Sequence, residues 1–233
     1  MLFSIQKELF DLLPELTIGV MVATGVDNTR PSPEIEQRLV KSIEDLRRGF
    51  SAEKVQEHPR IKPWRTAFAK LGLSGSKFPS SIESMARRVL RGDPFPRINA
   101  LVDLYNNVSL EHLVPMGGHD LDTLEGKIVL GFAEGWEPFT PMGGGERMTV
   151  PKGELVYRDD REVLTRNWVW RQCDKDKTTE KTRNIFIPID VLGEVGRARA
   201  DYIIHELSEL IPRLLGGSIF SAVLNREKTS VEF

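Results

Sequence analysis

Residues 98–122 read INALVDLYNNVSLEHLVPMGGHDLD. The first part predicts a helix over residues 98–113, because Leu101, Leu104 and Val108 recur at the three- and four-residue spacing of one helix face. The second part breaks this period with a proline, two glycines, a histidine and two aspartates. A glycine pair either makes a plain turn or lets the backbone approach a ligand closely, so a candidate site is expected directly after the helix.

Helices are predicted before this stretch and short strands after it. The predicted helices are 2–13, 33–49, 63–71 and 80–92, with one strand over 16–24. The predicted later elements are strands at 127–133, 148–150, 154–158, 167–172 and 184–189, and a helix at 193–215. Helices first and strands later are typical of the α+β class, with a largely antiparallel sheet flanked by helices. Without a long linker, residues 1–233 are expected to form a single domain.

The composition indicates a globular protein that does not cross a membrane. Of 233 residues, 40% are hydrophobic and 28% are charged, and no apolar run approaches the roughly 20 residues that span a bilayer. The N-terminus carries an early acid and lacks a small-residue cleavage site, so no signal peptide is expected. The single cysteine, Cys173, excludes a disulfide framework and a Cys-rich zinc site. We therefore expect a cytoplasmic protein.

Charge is unevenly distributed along the chain, although the net charge is only −2. Residues 60–97 hold nine Lys and Arg against two acids, a net charge of +7, whereas residues 98–126 hold five acids and no Lys or Arg. Such asymmetry predicts either a phosphate-contacting face or two blocks that neutralise each other across the fold. On the first interpretation, the RNA-binding candidates are Arg87, Arg88, Arg91 and Arg97.

Residues 98–122 resemble the tRNA-editing domain of the bacterial phenylalanyl-tRNA synthetase beta chain, whose characteristic stretch reads I-N-N-x-V-D-x-x-N-Y-V-x-L-E-x-x-x-P-M-H-A-F-D-L. Aligned without gaps, the matching residues include Asn99, Val102, Asp103, Asn106, Val108, Leu110, Glu111, Pro115, Met116, Asp120 and Leu121. Weaker similarities extend the resemblance to roughly residues 60–190. It implies the fold of that module and a pocket for the aminoacylated end of a tRNA. Residues 1–48 and 190–233 lie outside the resemblance, and their amphipathic helices predict either packing around the module or a dimer face. The synthetase's other domains do not fit in this length, which implies a free-standing relative of the editing module.

Two departures from the family pattern affect the implied site. The family has a pocket histidine where this chain has Gly117, and His119 stands where the family has phenylalanine. The family's M-G-G turn near a pocket glutamate is also absent, and residues 171–174 read RQCD. Two interpretations stay open. Either the glycines allow the backbone to bring His119 into the pocket, or they approach the ligand themselves while His119 has another role.

These residue types suit hydrolysis of an aminoacyl ester, which needs a positioned water and donors for the tetrahedral oxyanion. His119 is the candidate base, since imidazole exchanges protons near neutral pH, and the amides of Gly117 and Gly118 are candidate donors. Trp168 and Trp170, two apart on a predicted strand, would share one face as core residues or as an aromatic shelf. The candidate substrate-binding residues are Asp120 and Asp174, for the α-ammonium group, together with Met116, Trp170 and Gly144.

Three functions remain compatible with the sequence. The first is hydrolysis of mischarged aminoacyl-tRNA in trans. The second is a non-catalytic module that binds tRNA or an aromatic amino acid, and the third is a small-molecule or metal-dependent hydrolase. tRNA is the expected partner, and the oligomeric state stays open. No cofactor or metal is expected, because the spacing of His112, His119, Asp120 and Asp122 matches no metal motif with a known mechanism.

Overall fold

The computed structural model describes residues 1–29, 32–193 and 196–233. The helices are α1 (Leu9–Leu12), α2 (Pro33–Gly49), α3 (Lys62–Lys70), α4 (Ser81–Leu90), α5 (Ala100–His112) and α6 (Gly196–Leu215). The strands are β1 (Leu2–Ile5), β2 (Thr17–Thr24), β3 (His119–Asp120), β4 (Ile128–Phe132), β5 (Pro138–Phe139), β6 (Met148–Thr149), β7 (Leu155–Arg158), β8 (Val163–Arg166), β9 (Arg171–Gln172), β10 (Ile185–Val191), β11 (Ser218–Leu224) and β12 (Ser230–Glu232). Within the described ranges, no helix is long and apolar enough to cross a membrane.

The strands form a larger sheet, a second sheet and a small hairpin. The larger sheet has the order β12-β1-β4-β7-β8-β9, the second has the order β11-β2-β10-β3, and β5 pairs with β6. Neighbouring strands run antiparallel apart from β1 and β4, which are parallel. Helices pack against these sheets, so the α+β class with a largely antiparallel sheet is confirmed.

Capping residues set the starts of the main helices. The side chains of Ser32, Ser80 and Asn99 each accept a hydrogen bond from the backbone N–H three residues further on. Each bond satisfies a donor that has no partner within its helix. The four helices predicted between residues 33 and 113 are confirmed as α2 to α5, with small differences at their ends.

The N-terminal segment differs from the sequence prediction. A helix over residues 2–13 is wrong, because residues 2–5 form β1 between β4 and β12, and only α1 is helical. Phe3 and Ile5 are buried while Leu2 is exposed, which is the two-residue period of a strand. The segment after α6, for which no strand is predicted, supplies β11 and β12. The terminal segments therefore contribute strands to both sheets as well as helices.

A turn replaces the first part of the strand predicted at 167–172. Asn167 and Trp168 have φ angles of 44° and 64°, in the left-handed region that non-glycine residues rarely adopt. The Trp168 N–H donates to the Leu155 carbonyl at 2.7 Å, and the chain then turns back into β9. The alternating Trp-Val-Trp pattern imitates a strand, but Trp168 and Trp170 do not share a strand face.

Two apolar cores pack on the sheets and fix their relative position. One surrounds the larger sheet, where the rings of Trp64 and Trp168 lie 4.8 Å apart between centroids. The other fills the space between the second sheet and helices α5 and α6. Phe3 in β1 and Phe186 in β10 pack with ring centroids 5.0 Å apart, which joins the two sheets. The candidate site lies close to this junction.

Candidate functional site

A cavity of about 310 Å³ opens between α5, β7 and β10. Its wall is mostly apolar and includes Tyr105 from α5 and Trp168 and Trp170 from the turn before β9. Few polar side chains reach it, and His119 and Asp190 are the two whose chemistry is most suited to catalysis or binding. An apolar cavity with a few placed polar groups is the usual form of a small-ligand site.

The cavity lies where the pairing at the edge of the second sheet is interrupted. β3 pairs with β10 through His119, and an isolated bridge joins Met116 to β10. Between these contacts the chain passes through Gly117 and Gly118, opposite Pro188, which has no N–H to donate. Gly117 and Pro188 both line the cavity. The cavity therefore opens where the glycine pair and the proline interrupt the strand pairing.

The two glycines have different surroundings. A Cβ at Gly118 would lie 2.7 Å from Ile185 Cδ1 and 2.7 Å from Tyr105 Cε1, so only glycine lets these side chains pack here. At Gly117 the nearest heavy atom to a Cβ would be His119 Nε2, at 4.0 Å. Gly118 is thus enclosed behind the wall, whereas Gly117 faces the cavity beside the imidazole.

His119 and Asp176 form a buried pair at the cavity. The Nδ1–H of His119 donates to Asp176 Oδ2, and the two side chains are 2% and 0% exposed. The other carboxylate oxygen accepts from Gln172 Nε2 at 3.0 Å and from the Cys173 thiol at 3.2 Å. A carboxylate on Nδ1 fixes the tautomer and leaves Nε2 free to accept a proton, here next to Gly117. The pair has the arrangement of an oriented general base.

A second buried carboxyl group, that of Asp190, lines the same cavity. Its Oδ1 accepts from the Tyr157 hydroxyl at 2.8 Å and from Trp168 Nε1 at 2.7 Å. Burial raises the pKa of Asp190 to about 6, while these two hydrogen bonds and the charge of His119 oppose the rise. Burial, with the neighbouring Asp190, also raises the pKa of Tyr157 well above its ordinary value. At neutral pH, an ionised Asp190 therefore faces neutral donors.

Four of the residues predicted for the site line the cavity, and the two predicted ammonium-binding acids have other partners. Asp120 accepts from Thr182 Oγ1 at 2.5 Å and from the N–H of Asp122, which braces the turn after β3. Asp174 is partly exposed and pairs with Lys177 at 2.9 Å. Gly144, with φ at 93°, lies in an exposed turn. The four that line the cavity are Met116, Gly117, His119 and Trp170.

Two of the four predicted RNA-binding arginines are held in ion pairs. Arg87 pairs with the buried carboxylate of Glu83 at 2.8 Å, and Arg65 pairs with the same carboxylate at 2.5 Å. Arg97 pairs with Asp103 at 2.9 Å. Part of the basic segment 60–97 is thus neutralised. Glu83 does so from within the segment, and Asp103 does so from the acidic segment 98–126.

The other two arginines are exposed at the end of α4. Arg88 donates to a backbone carbonyl at 2.9 Å, and both Arg88 and Arg91 are solvent-exposed. The first residue of the same helix, Ser81, lines the cavity. Arg171, which the sequence did not single out, also lines the cavity and is exposed. Exposed cations therefore occur both at the cavity and at the far end of α4.

The two histidines of the set His112, His119, Asp120 and Asp122 bind different carboxylates. His112 binds Glu206 at 2.8 Å, whereas His119 binds Asp176. Within residues 1–29, 32–193 and 196–233, no group of three or more His, Cys, Asp or Glu side chains is arranged to hold a metal ion.

Sequence reasoning missed Asp176, Asp190 and Tyr157. Asp176 is 57 positions from His119, and only the fold brings them together. The sequence does contain an indication of Asp190, because it is the one charged residue in the buried strand IFIPIDV. A lone carboxyl group in an apolar run is costly to bury, so it indicates either a specific partner or a function.

Comparison with known proteins identifies the family. The B3/4 domain family matches residues 63–215. The chain belongs to the B3/4 domain family. Two relatives of this B3/4 domain are phenylalanine–tRNA ligase beta subunits. The one from Fusobacterium nucleatum is 36% identical over 92 residues, which is 40% of this chain and 11% of the relative. The one from Pectobacterium atrosepticum is 31% identical over 116 residues, 48% of this chain and 14% of the relative.

The chain thus matches only a small part of each ligase subunit. Among solved structures, an N-terminal fragment of the phenylalanyl-tRNA synthetase beta subunit from Pyrococcus horikoshii aligns with 95% of this chain and 53% of its own. Its TM-score is 0.45 at 15% sequence identity. The predicted relation to the phenylalanyl-tRNA synthetase beta chain is confirmed, and the editing role stays a prediction.

Proposed function

We propose that this B3/4 domain hydrolyses the ester bond of mischarged aminoacyl-tRNA in trans, as a free-standing relative of the synthetase's editing module. The observation that carries the proposal is the buried His119–Asp176 pair at an apolar cavity. The similarity to phenylalanine–tRNA ligase beta subunits supports tRNA as the ligand. A cytoplasmic location, where charged tRNA is abundant, stays a prediction.

The chemistry requires two proton transfers, to and from His119, and one attack by water on the ester carbonyl. In the proposed reaction, the acyl side chain enters the aromatic part of the cavity, and the ester carbonyl lies near His119 Nε2. Nε2 takes a proton from water while the water oxygen attacks the carbonyl carbon. The Gly117 amide is the candidate donor to the resulting oxyanion. The tetrahedral intermediate then releases the ribose oxygen, which takes the proton back from the imidazolium, so no covalent enzyme intermediate forms.

The exposed arginines are proposed to guide the tRNA. α4 runs from Ser81 at the cavity to Arg88 and Arg91, and ten residues of helix rise about 15 Å. Phosphates of the acceptor stem could lie along this distance when the 3′ end enters the cavity. Arg171 would meet the terminal nucleotides. Such contacts position an RNA without reading its sequence.

Deacylation of a panel of mischarged tRNAs, including Tyr-tRNA(Phe), tests the proposal. His119→Ala should lower the hydrolysis rate by about 10²- to 10⁴-fold, the usual contribution of a general base. Asp176→Asn should lower it as well, because the amide no longer fixes the Nδ1–H tautomer. His205→Ala is the matched control, since this histidine is exposed on α6 and its loss should leave the rate unchanged.

Other outcomes would favour the alternatives. Unchanged hydrolysis in both His119→Ala and Asp176→Asn would remove the assignment of the site. tRNA binding without hydrolysis of any panel member would favour the non-catalytic binding module.

A further inference from the structure

Asp190 is distinctive among the polar groups of the cavity. Of the described residues that line the cavity, Asp190 alone carries a carboxyl group. It is 1% exposed and lies in β10, between the second sheet's core and the cavity. The acids predicted from the sequence to bind the substrate's ammonium group are Asp120 and Asp174. Asp120 is bound by Thr182 and Asp174 by Lys177. Asp190 is the acid that is in position.

Among the described residues, no cation forms an ion pair with Asp190. Its two side-chain donors, Tyr157 and Trp168, are neutral, and both bind the same oxygen, Oδ1. A buried carboxylate without a paired cation is unfavourable. Among the described residues that line the cavity, His119 and Arg171 are the basic ones. His119 is held by Asp176, and Arg171 is exposed. A positively charged ligand would supply what the site lacks.

The aromatic residues around Asp190 also suit a cation. Tyr105, Trp168 and Trp170 line the cavity, and aromatic faces attract ammonium groups, most strongly where water is excluded. Trp168 reaches Asp190 from a left-handed backbone conformation that costs about 1–2 kcal/mol for a non-glycine residue. The fold thus holds this indole against the carboxylate despite an unfavourable backbone.

Tyr157 connects Asp190 to the proposed base. Its ring centroid lies 6.0 Å from that of His119, and its hydroxyl binds Asp190. A group bound by Asp190 is therefore about one side chain away from the imidazole. In an aminoacyl ester, the α-ammonium group and the ester carbonyl are separated by a single carbon, so the two can occupy these neighbouring positions together.

We propose that Asp190 binds the α-ammonium group of the aminoacyl ester, and that the cavity selects acyl groups carrying a free, positively charged amine. This inference rests on the proposed function for the identity of the ester, but the amine site itself can be tested without any hydrolysis. A side-chain ammonium group offers the same chemistry and is the other source to be distinguished.

Binding of two small probes tests the amine site directly. Phenethylamine is a cation at neutral pH, and 2-phenylethanol is its neutral counterpart of nearly equal shape. By NMR titration or calorimetry, the protein should bind the amine about tenfold or more tightly than the alcohol, as expected for a charge-assisted hydrogen bond. Asp190→Asn should abolish this preference, whereas the control Asp174→Asn, at a partly exposed carboxyl group, should keep it.

Equal affinity for the two probes in the unaltered protein, or no amine binding at millimolar concentration, would overturn the inference even if Asp190→Asn failed to fold. A preference that survives in a folded Asp190→Asn variant would overturn it as well. Amine binding without deacylation of any tRNA would instead refute the proposed function and leave the amine site standing.

Hydrolysis adds a second test and separates the sources of the amine. Aminoacyl-tRNA should be hydrolysed at least tenfold faster than its N-acetylated form, and equal rates would refute the role of Asp190 while leaving the proposed function intact. Lysyl-tRNA acetylated only at the α-amine distinguishes the two sources. Slow hydrolysis supports recognition of the α-ammonium group, whereas fast hydrolysis that depends on the side-chain amine would overturn it.

Discussion

Asp190→Asn is expected to stabilise the folded protein more at pH 8 than at pH 4. Burial raises the pKa of Asp190 from 3.8 to about 6 in the folded protein. Because the folded state then binds this proton more tightly than the unfolded state, the stability associated with the protonated carboxyl group is fully present below about pH 4. It is lost as the pH rises through about 6. Asparagine does not titrate, so the variant avoids this loss.

The size of the effect follows from the same pKa values. A tenfold change in acidity corresponds to about 1.4 kcal/mol, so the rise from 3.8 to about 6 corresponds to about 3 kcal/mol between the two ends of the titration. The amide oxygen of asparagine can still accept from Tyr157 and Trp168. We therefore expect a difference within about 1 kcal/mol at pH 4, where both side chains are neutral.

Urea unfolding of both proteins between pH 4 and pH 8 measures this directly. The quantity to follow is the free energy of unfolding of the variant minus that of the unaltered protein. Asp174→Asn is the control, because the pKa of Asp174 is lowered by Lys177 and its loss should produce no such rise. A difference that stays flat to within about 0.5 kcal/mol would refute the reasoning, since one or two hydrogen bonds would then suffice to solvate the buried charge.

Three further predictions concern packing, a buried ion pair and RNA binding. Gly118→Ala should lower the free energy of unfolding by about 1–3 kcal/mol, because its Cβ would overlap three side chains. Gly117→Ala should be tolerated, and equal urea midpoints for the two variants would contradict this. Glu83→Gln should cost about 3–5 kcal/mol in the same assay, since it leaves two arginines without their buried partner, and a cost below about 1 kcal/mol would mean that water replaces it. Replacing both Arg88 and Arg91 with Ala should weaken tRNA binding and reduce the salt dependence by about one phosphate contact each, and an unchanged slope would exclude these contacts.

The sequence predicts the helical half of the fold well because its signals are local. Ser32, Ser80 and Asn99 act as helix caps within one turn of the groups they bind, so a pattern of a few residues is sufficient. β1 could not be predicted in this way, because its four residues cover only two periods of a strand. Its pairing partners also lie more than a hundred residues away in the sequence. Short edge and terminal strands depend on the sheet that receives them.

In the candidate site, too, the residues within a local sequence pattern could be predicted and the distant ones could not. The sequence indicated His119 and the glycine pair through the pattern of residues 98–122, and all three are at or directly behind the cavity wall. Asp176 and Asp190 are distant in sequence, and their importance depends on burial and on contacts that only the folded chain creates. Asp120 was a candidate because it is an acid within the motif, and Asp174 because it is an acid in the stretch that stands where the family has its M-G-G turn. The local turn and a nearby lysine account for their carboxylates.

The position of Gly117 bears on whether this chain can act as a hydrolase at all. In the beta-chain pattern that residues 98–122 resemble, a histidine occupies this position, and its absence alone would suggest lost catalysis. Here Gly117 and His119 line the same cavity, and the space that a Cβ at 117 would occupy is 4.0 Å from His119 Nε2. An imidazole therefore still reaches the cavity, from two positions further along the chain. It also has a buried carboxylate on Nδ1, which a relic of lost catalysis would not need. Since a buried carboxylate is costly unless it is paired, the His119–Asp176 pair supports the proposed base over the non-catalytic alternative.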